Sequence, residues 1–323
     1  MEPILFVFQA YPDWINKSDF KAKIMLWTQA KEVRTMKDRT NRLKSSETLQ
    51  TMRPGLFSFH LAGWLLVLTC FIPRLAANPL RIYIVTDLEG ASGVYKFAQT
   101  REPGNPLGEK AKEYLMGDIA AVVRGLRAAN VAEIVVLDGH GSQAFVPHLM
   151  EPGAKYITGK PRPGPLTCLD DSFDGLIQLG AHTMMGTPDG VLAHTQSSRT
   201  ENRYWYNGIE SGELAQCAAI AGHYGVPPIM VTGDEATCRE AVKFFGSNCV
   251  TVAVKRGITR EAAMLYPFDE THQALYEGAR RAVAAIPKCQ PYKLTLPIQA
   301  KKEYLVFDSS SGSGRRISKE GTI

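Results

Sequence analysis

Short runs of β-branched and aromatic residues alternate along most of this chain with longer stretches whose apolar residues recur every three or four positions. The first run, RIYIVT at Arg81–Thr86, is apolar at most positions, as a strand covered on both faces is. Residues 108–130 set Tyr114, Ile119, Val122, Val123 and Leu126 at helical spacing, and 133–137 (EIVVL) form the next strand, completing a βαβ unit. The same patterns predict strands at 175–180, 203–206, 228–231, 250–254 and 303–307, and helices at 213–224, 235–245 and 272–286. Such alternation predicts an α/β fold with a mostly parallel sheet flanked by helices and ligands at the C-terminal ends of the strands. The Gly/Pro-rich stretch 159–165 (GKPRPGP) reads as a loop or lid within one domain, 78–308. After Asp308 the sequence SSSGSGRRISKEGTI is polar and Gly/Ser-rich, which predicts a mobile tail over 309–323.

The first 77 residues follow another pattern. LAGWLLVLTCFI (61–72) is continuously apolar, Met52 and Arg53 precede it, and Ala76 and Ala77 follow it. A basic start, an apolar stretch of about 7–15 residues and small residues at a cleavage point describe a secretory signal. On this reading translation starts at Met52, cleavage falls near Ala77, and 1–51 is a non-native or disordered leader. If 52–77 stays uncleaved it is a signal-anchor, since the apolar run 56–72 is just at the lower limit of about 17–25 residues for a span. Either way the domain is expected to be exported, periplasmic or extracellular; a core helix of a cytosolic protein is the competing reading. Thr69 before Cys70 matches a lipid-attachment site poorly.

The leader also changes how the charge reads. The whole chain carries +5, but residues 1–77 hold eleven Lys/Arg and six Asp/Glu, which leaves 26 of each sign in the remainder. The domain is thus neutral overall, and a basic nucleic-acid-binding surface is not indicated. Beyond Cys70 there are five cysteines with no C-x-x-C spacing, so neither a zinc ribbon nor a full disulfide framework is implied. Export would permit a pair such as Cys238 with Cys249.

Chemistry concentrates where the strands end. Asp87-Leu88-Glu89-Gly90 closes the first strand, and in extended backbone residues two apart point to the same side, so both carboxylates can reach one cation. Gly90 and Gly93 let the chain turn away beneath them. Alone, such a pair is as readily a helix N-cap or a solvated loop. His140 stands between glycines after the second strand, and His182 follows Gly180-Ala181 after the third. Two histidines at two strand ends fall side by side in a parallel sheet. His194 lies in the loop Gly190-Val191-Leu192-Ala193-His194, and Glu213 opens an Ala-rich helix whose dipole it would also offset. His148, His223 and His272 lack such a setting and read as surface or satisfied core residues. Two histidines, three carboxylates and a spare histidine, without a thiolate, suit a two-metal hydrolase.

Together these motifs carry a resemblance. D-L-E-G after the first strand, D-G-H after the second, G-A-H, G-V-L-A-H and N-G-I-E-S-G-E (207–213) occur in the order and spacing of the zinc D-aminopeptidase family, self-compartmentalising peptidases with a dinuclear zinc site. The similarity runs from about Arg81 to near Ile286, with further matches at DDSF (170–173) and VKRGITREA (254–262). The resemblance implies that Asp87, Glu89, His140, His182 and Glu213 are the metal ligands, with Asp87 bridging two zinc ions per subunit, manganese or cobalt being chemically suited too. It implies that His194 is the acid/base or nucleophile, that the substrates are short peptides with an N-terminal D-residue such as D-Ala, and that subunits form a homo-oligomeric ring. In such a site zinc acidifies a water that attacks the scissile carbonyl. Family chains continue past the late strand, so this one is expected to be truncated there. The alternatives are another metallohydrolase on the same residues, an amidase or a phosphoesterase, or an inactive exported peptide-binding protein. The phosphoesterase lacks a G-x-x-x-x-G-K-[ST] cradle here, and all six site positions hold competent residues.

Overall fold

The structure, a computed structural model, describes residues 79–101, 104–141, 143–307 and 314–322. The leader and the 52–77 segment lie outside the described residues, so the signal reading is not addressed by it. Among the described residues no helix is long and apolar enough to cross a membrane.

In chain order the strands are β1 (Arg81–Thr86), β2 (Glu133–Asp138), β3 (Lys155–Ile157), β4 (Gly175–Leu179), β5 (Asn202–Tyr206), β6 (Ile209–Glu210), β7 (Pro228–Asp234), β8 (Val250–Thr259), β9 (Ala262–Leu265), β10 (Gln299–Phe307) and β11 (Gly314–Thr322). The helices are α1 (Pro106–Ala128), α2 (Glu213–His223), α3 (Glu235–Phe245) and α4 (Phe268–Ala285). Seven strands form the main sheet in the order β3-β2-β1-β4-β7-β8-β9, parallel throughout except for β9 against β8. The chain winds outward from β1 to β2 and β3, then returns to lay β4 on the other side of β1. That reversal makes the β1–β4 boundary the topological switch point, where open α/β sheets bind ligands.

Alternation along the strands sets the layers. Ile82 and Ile84 of β1 face one way with Ile134, Val136, Ile177 and Val252, against Leu115, Ile119 and Val122 of α1 and Leu275 and Ala279 of α4. Tyr83 and Val85 face the other way with Val135, Leu137 and Leu176, and meet Ile220 and Ala221 of α2. α1 opens on Asn105, whose side chain accepts from the Leu107 amide, with Pro106 as its first residue. Both are N-terminal signals, and they start the helix two residues before the apolar periodicity does. The sheet and its helices thus match the α/β reading, with strand β1 and helix α3 falling on their predicted residues.

Three differences are physical. β3, β6 and β9 are two to four residues long, too short to show a period. β5 and β10 belong to a second, four-stranded antiparallel sheet, β11-β10-β5-β6, and not to the main one. The tail predicted to be mobile contains β11, which pairs with β10 over nine residues from Gly314↔Phe307 to Thr322↔Gln299. β11 is an edge strand with every residue exposed except half-buried Ile317, so its composition is that of a solvated tail while its backbone is held by the ladder. The five cysteines from Cys168 to Cys289 are free thiols, Cys238 and Cys249 among them.

Candidate metal centre

The ends of β1 and β4 approach each other through glycine. The Gly90 amide donates to the Gly180 carbonyl at 2.7 Å, and the Asp87 amide to the Leu179 carbonyl at 2.8 Å. A Cβ on Gly90 would stand 1.9 Å from the Ala181 carbonyl oxygen, and one on Gly180, whose φ is +70°, 2.3 Å from that of Asp87. Gly90 therefore serves close approach of two backbones more than the turn that the sequence suggests.

All six residues singled out in the sequence meet at these strand ends, in two adjoining clusters. Asp87, Glu89 and His140 form one, and His182, His194 and Glu213 the other, each with its ligand-type atoms within 4.8 Å of one another. Asp87 joins them: its Oδ1 lies 3.0 Å from His140 Nδ1 and its Oδ2 3.2 Å from His182 Nε2. Glu89 Oε2 is 2.9 Å from His140 Nδ1, and Glu213 Oε1 is 3.5 Å from His182 Nε2 and 3.9 Å from His194 Nε2. The rings of His182 and His194 stack at 3.9 Å between centroids, 12° from parallel. His148, His223 and His272 belong to neither cluster.

Each imidazole has one nitrogen committed to the backbone. His140 Nε2 donates to the Thr100 carbonyl at 3.0 Å, His182 Nδ1 to that of Thr183 at 2.9 Å, and His194 Nδ1 to that of Leu192 at 2.8 Å. The other nitrogen of each ring is thereby turned toward the carboxylates, the arrangement that orients histidines for a metal. Glu89 Oε2 and His182 Nε2 are buried and make no directed hydrogen bond, although charged atoms face them. Buried polar atoms are rarely left so, and a cation in each cluster would satisfy them. The donors are nitrogen and carboxylate oxygen only, which suits a divalent ion of zinc type.

The electrostatics show how tightly these groups depend on one another. Burial works against charge on His140 and His182, but Glu89 and Asp87 around the first ring and Asp87 and Glu213 around the second hold both imidazoles well above their ordinary value. Burial likewise opposes ionisation of Asp87 and Glu213, and the facing histidines overcome it, keeping both carboxyls low. Burial and the neighbouring His182 push His194 down instead.

Supports that the sequence reading did not single out hold the loops bearing these groups. Lys255, fully buried in β8, donates from Nζ to the carbonyls of Glu89 (2.7 Å), Ala91 (2.8 Å) and Val94 (2.6 Å). Burial pulls its ammonium down to about 8. Asp234, at the end of β7, accepts from the Val191 amide at 2.6 Å with Oδ2, pinning the loop that leads to His194, while its Oδ1 caps α3. Glu240 of α3 accepts from the Met184 amide at 3.0 Å beneath the His182 loop, and burial lifts its carboxyl to about 7. Arg260 Nε donates to the Ala193 carbonyl at 3.1 Å, and Glu261 accepts from the Phe97 amide at 3.0 Å. Lys255, Arg260 and Glu261 all lie in the VKRGITREA stretch, so that motif was their one sequence signal.

A switch-point crevice ringed by imidazole and carboxylate defines a class, the α/β proteins with a strand-end centre suited to divalent metal. Residues 80–307 match the model of peptidase family M55, described as D-aminopeptidase, and the chain belongs to that family. It is a peptide hydrolase. It is 29% identical over 214 residues to a D-aminopeptidase of Bacillus subtilis (strain 168), covering 66% of this chain and 77% of that protein. It also resembles a solved structure described as the Zn-dependent D-aminopeptidase DppA from Bacillus subtilis, a self-compartmentalizing protease. The TM-score is 0.68 at 23% identity, covering 75% of this chain and 91% of that one, and at that identity the likeness carries the fold alone.

Proposed function

We propose that this protein is a zinc-dependent aminopeptidase that removes N-terminal D-residues, D-Ala among them, from short peptides, using two ions held by Asp87, Glu89, His140, His182 and Glu213. The observation that carries the reading is Asp87, whose two carboxylate oxygens face histidines of different clusters. Ions bound there would polarise a scissile carbonyl and make water available as a nucleophile near neutral pH. Asp87 would be shared, with Glu89 and His140 on one side and His182 and Glu213 on the other.

His194 is the acid/base in this proposal. Its Nδ1 is committed to the Leu192 carbonyl, so only Nε2 can take up a proton and deliver it to the leaving amine. Phe97, its ring 6.4 Å from that of His194, gives this side of the crevice an apolar wall. The D-preference and the homo-oligomer rest on the family and on the relatives described above. An assembly also suits Ile258, Met264 and Leu265, exposed together on the β8–β9 hairpin. Export rests on the leader sequence alone.

The test is release of alanine from D-Ala-D-Ala and from L-Ala-L-Ala by the zinc-loaded protein, with and without a chelator. Chelator-sensitive release from the D-dipeptide only is the expected result; release from neither sinks the proposal. In the same assay His194→Ala is expected to keep its metal and lose activity, and loss of metal would make His194 a ligand instead.

A further inference from the structure

Three arginines crowd the rim of the crevice on the Phe97 side. Arg101 lies with its Cζ 3.2 Å from the centre of the Phe97 ring, and Arg260 with its Cζ at 4.8 Å. The Arg199 guanidinium donates to the Arg101 carbonyl at 3.3 Å. Arg101 is anchored by its Nε on Ser198 Oγ at 2.9 Å and by Nη2 on the Ser198 carbonyl. Arg260 is anchored by Nε on Ala193, the residue before His194. The carbonyl of Thr100, next to Arg101, accepts the hydrogen bond from His140 Nε2. The cluster is thus tied to both halves of the centre.

Among the described residues, none of the three makes an ion pair with a carboxylate, and the three lie together. Three like charges gathered together repel one another, and Glu261 and Glu89, which act on Arg101 from a distance, offset this only in part. Burial, then Arg260 and Arg199, draws Arg101 below the usual guanidinium range. The face of Phe97 holds two of the cations in place, and each is left with guanidinium donors that no described residue takes up. A planar anion with two oxygens would relieve the repulsion and take up those donors.

Resting on the peptidase reading above, we infer that Arg101, Arg199 and Arg260 bind the free α-carboxylate of a short peptide, so that the enzyme selects substrates by the distance from the scissile bond to the C-terminus. Extended chain spans about 3.3–3.6 Å per residue. The Phe97 ring lies 6.4 Å from that of His194, and Arg101 and Arg260 lie 3.2 and 4.8 Å from its centre, so both guanidiniums stand within about three extended residues of that histidine. Dipeptides and tripeptides fit that span; a longer peptide carries its carboxylate past it.

The test compares D-Ala-D-Ala with its C-terminal amide on the zinc-loaded full chain. The free acid is expected to be the better substrate by about 10- to 100-fold in kcat/KM, mostly through KM, as loss of charge-assisted hydrogen bonds predicts. Arg260→Gln, at an exposed position, should collapse the acid-to-amide ratio toward one, and Arg101→Gln should do the same. Equal rates for acid and amide in the unaltered enzyme would overturn the inference while leaving the peptidase reading standing. So would variants that slow both substrates alike, because that is the signature of a purely structural role. Hydrolysis of neither substrate would instead strike the peptidase reading, and this inference with it.

Discussion

Asp87, Glu89 and His140 hang directly from the ends of two neighbouring strands, whereas in the other cluster only His182 does so. His194 comes from a loop, and Glu213 from the start of α2. The difference shows in what each half needs for support. The first is positioned by the β1–β2 ladder, with register pairs up to Thr86↔Asp138, and by one buried ammonium, Lys255. The second relies on carboxylates from other elements, Asp234 beneath Val191 and Glu240 beneath Met184. A regular sheet fixes side chains at its strand ends almost without assistance. Loops reach the same precision only when buried polar groups satisfy their backbone.

The sharpest way to break this comparison is to separate the two halves. Gly90→Ala puts a Cβ 1.9 Å from the Ala181 carbonyl, where two strand ends touch. It is expected to destabilise the fold by about 4 kcal/mol or more, read as a large drop in denaturation midpoint, and to remove metal from both clusters.

Lys255→Met comes next. It leaves three buried carbonyls without a donor, while relieving the desolvation of the ammonium. The expected net loss is about 2–4 kcal/mol, with metal affinity weakened in the Asp87–Glu89–His140 cluster more than in its neighbour. Calorimetric zinc titration of the folded variant checks this, and equal weakening at both clusters would contradict the division of supports.

Glu240→Gln has the smallest effect and the clearest pH signature. The Glu240 carboxyl is lifted to about 7 in the folded protein, above its unfolded value, so the native state keeps the proton longer. Stability contributed by that proton is present below the unfolded pKa of roughly 4.3, falls as pH rises toward 7, and levels off above it. The amide cannot ionise, so E240Q should gain about 1–3 kcal/mol over the parent at pH 8 relative to pH 5 in chelator. Thermal melts at the two pH values read this directly, and a gain at pH 5 instead would reverse the sign.

What the sequence made legible follows the same division. RIYIVT, EIVVL and the helix from Glu235 to Phe245 declare themselves by local pattern, and Asp87, Glu89, His140 and His182 could be picked out because a strand end locates them, whereas His194 and Glu213 stood out only through the motifs around them. β11 could not be, since a solvent-facing edge strand and a solvated tail share one composition. Nor could the role of Lys255, which the sequence marks only as part of VKRGITREA and which acts on Glu89, 166 residues away. Asp234 and Glu240 were equally silent. Their partners, Val191 and Met184, lie 43 and 56 residues off, and no local spacing records such contacts.

The central claim is a single centre in which one carboxylate joins two metal-holding clusters. The measurement that tests it most directly is the number of zinc ions bound per chain by the metal-free protein, compared with Asp87→Ala and His140→Ala, each verified as folded. The account predicts two ions in the parent, one in H140A and none held tightly in D87A. One ion in the parent, or two retained in D87A, would contradict it.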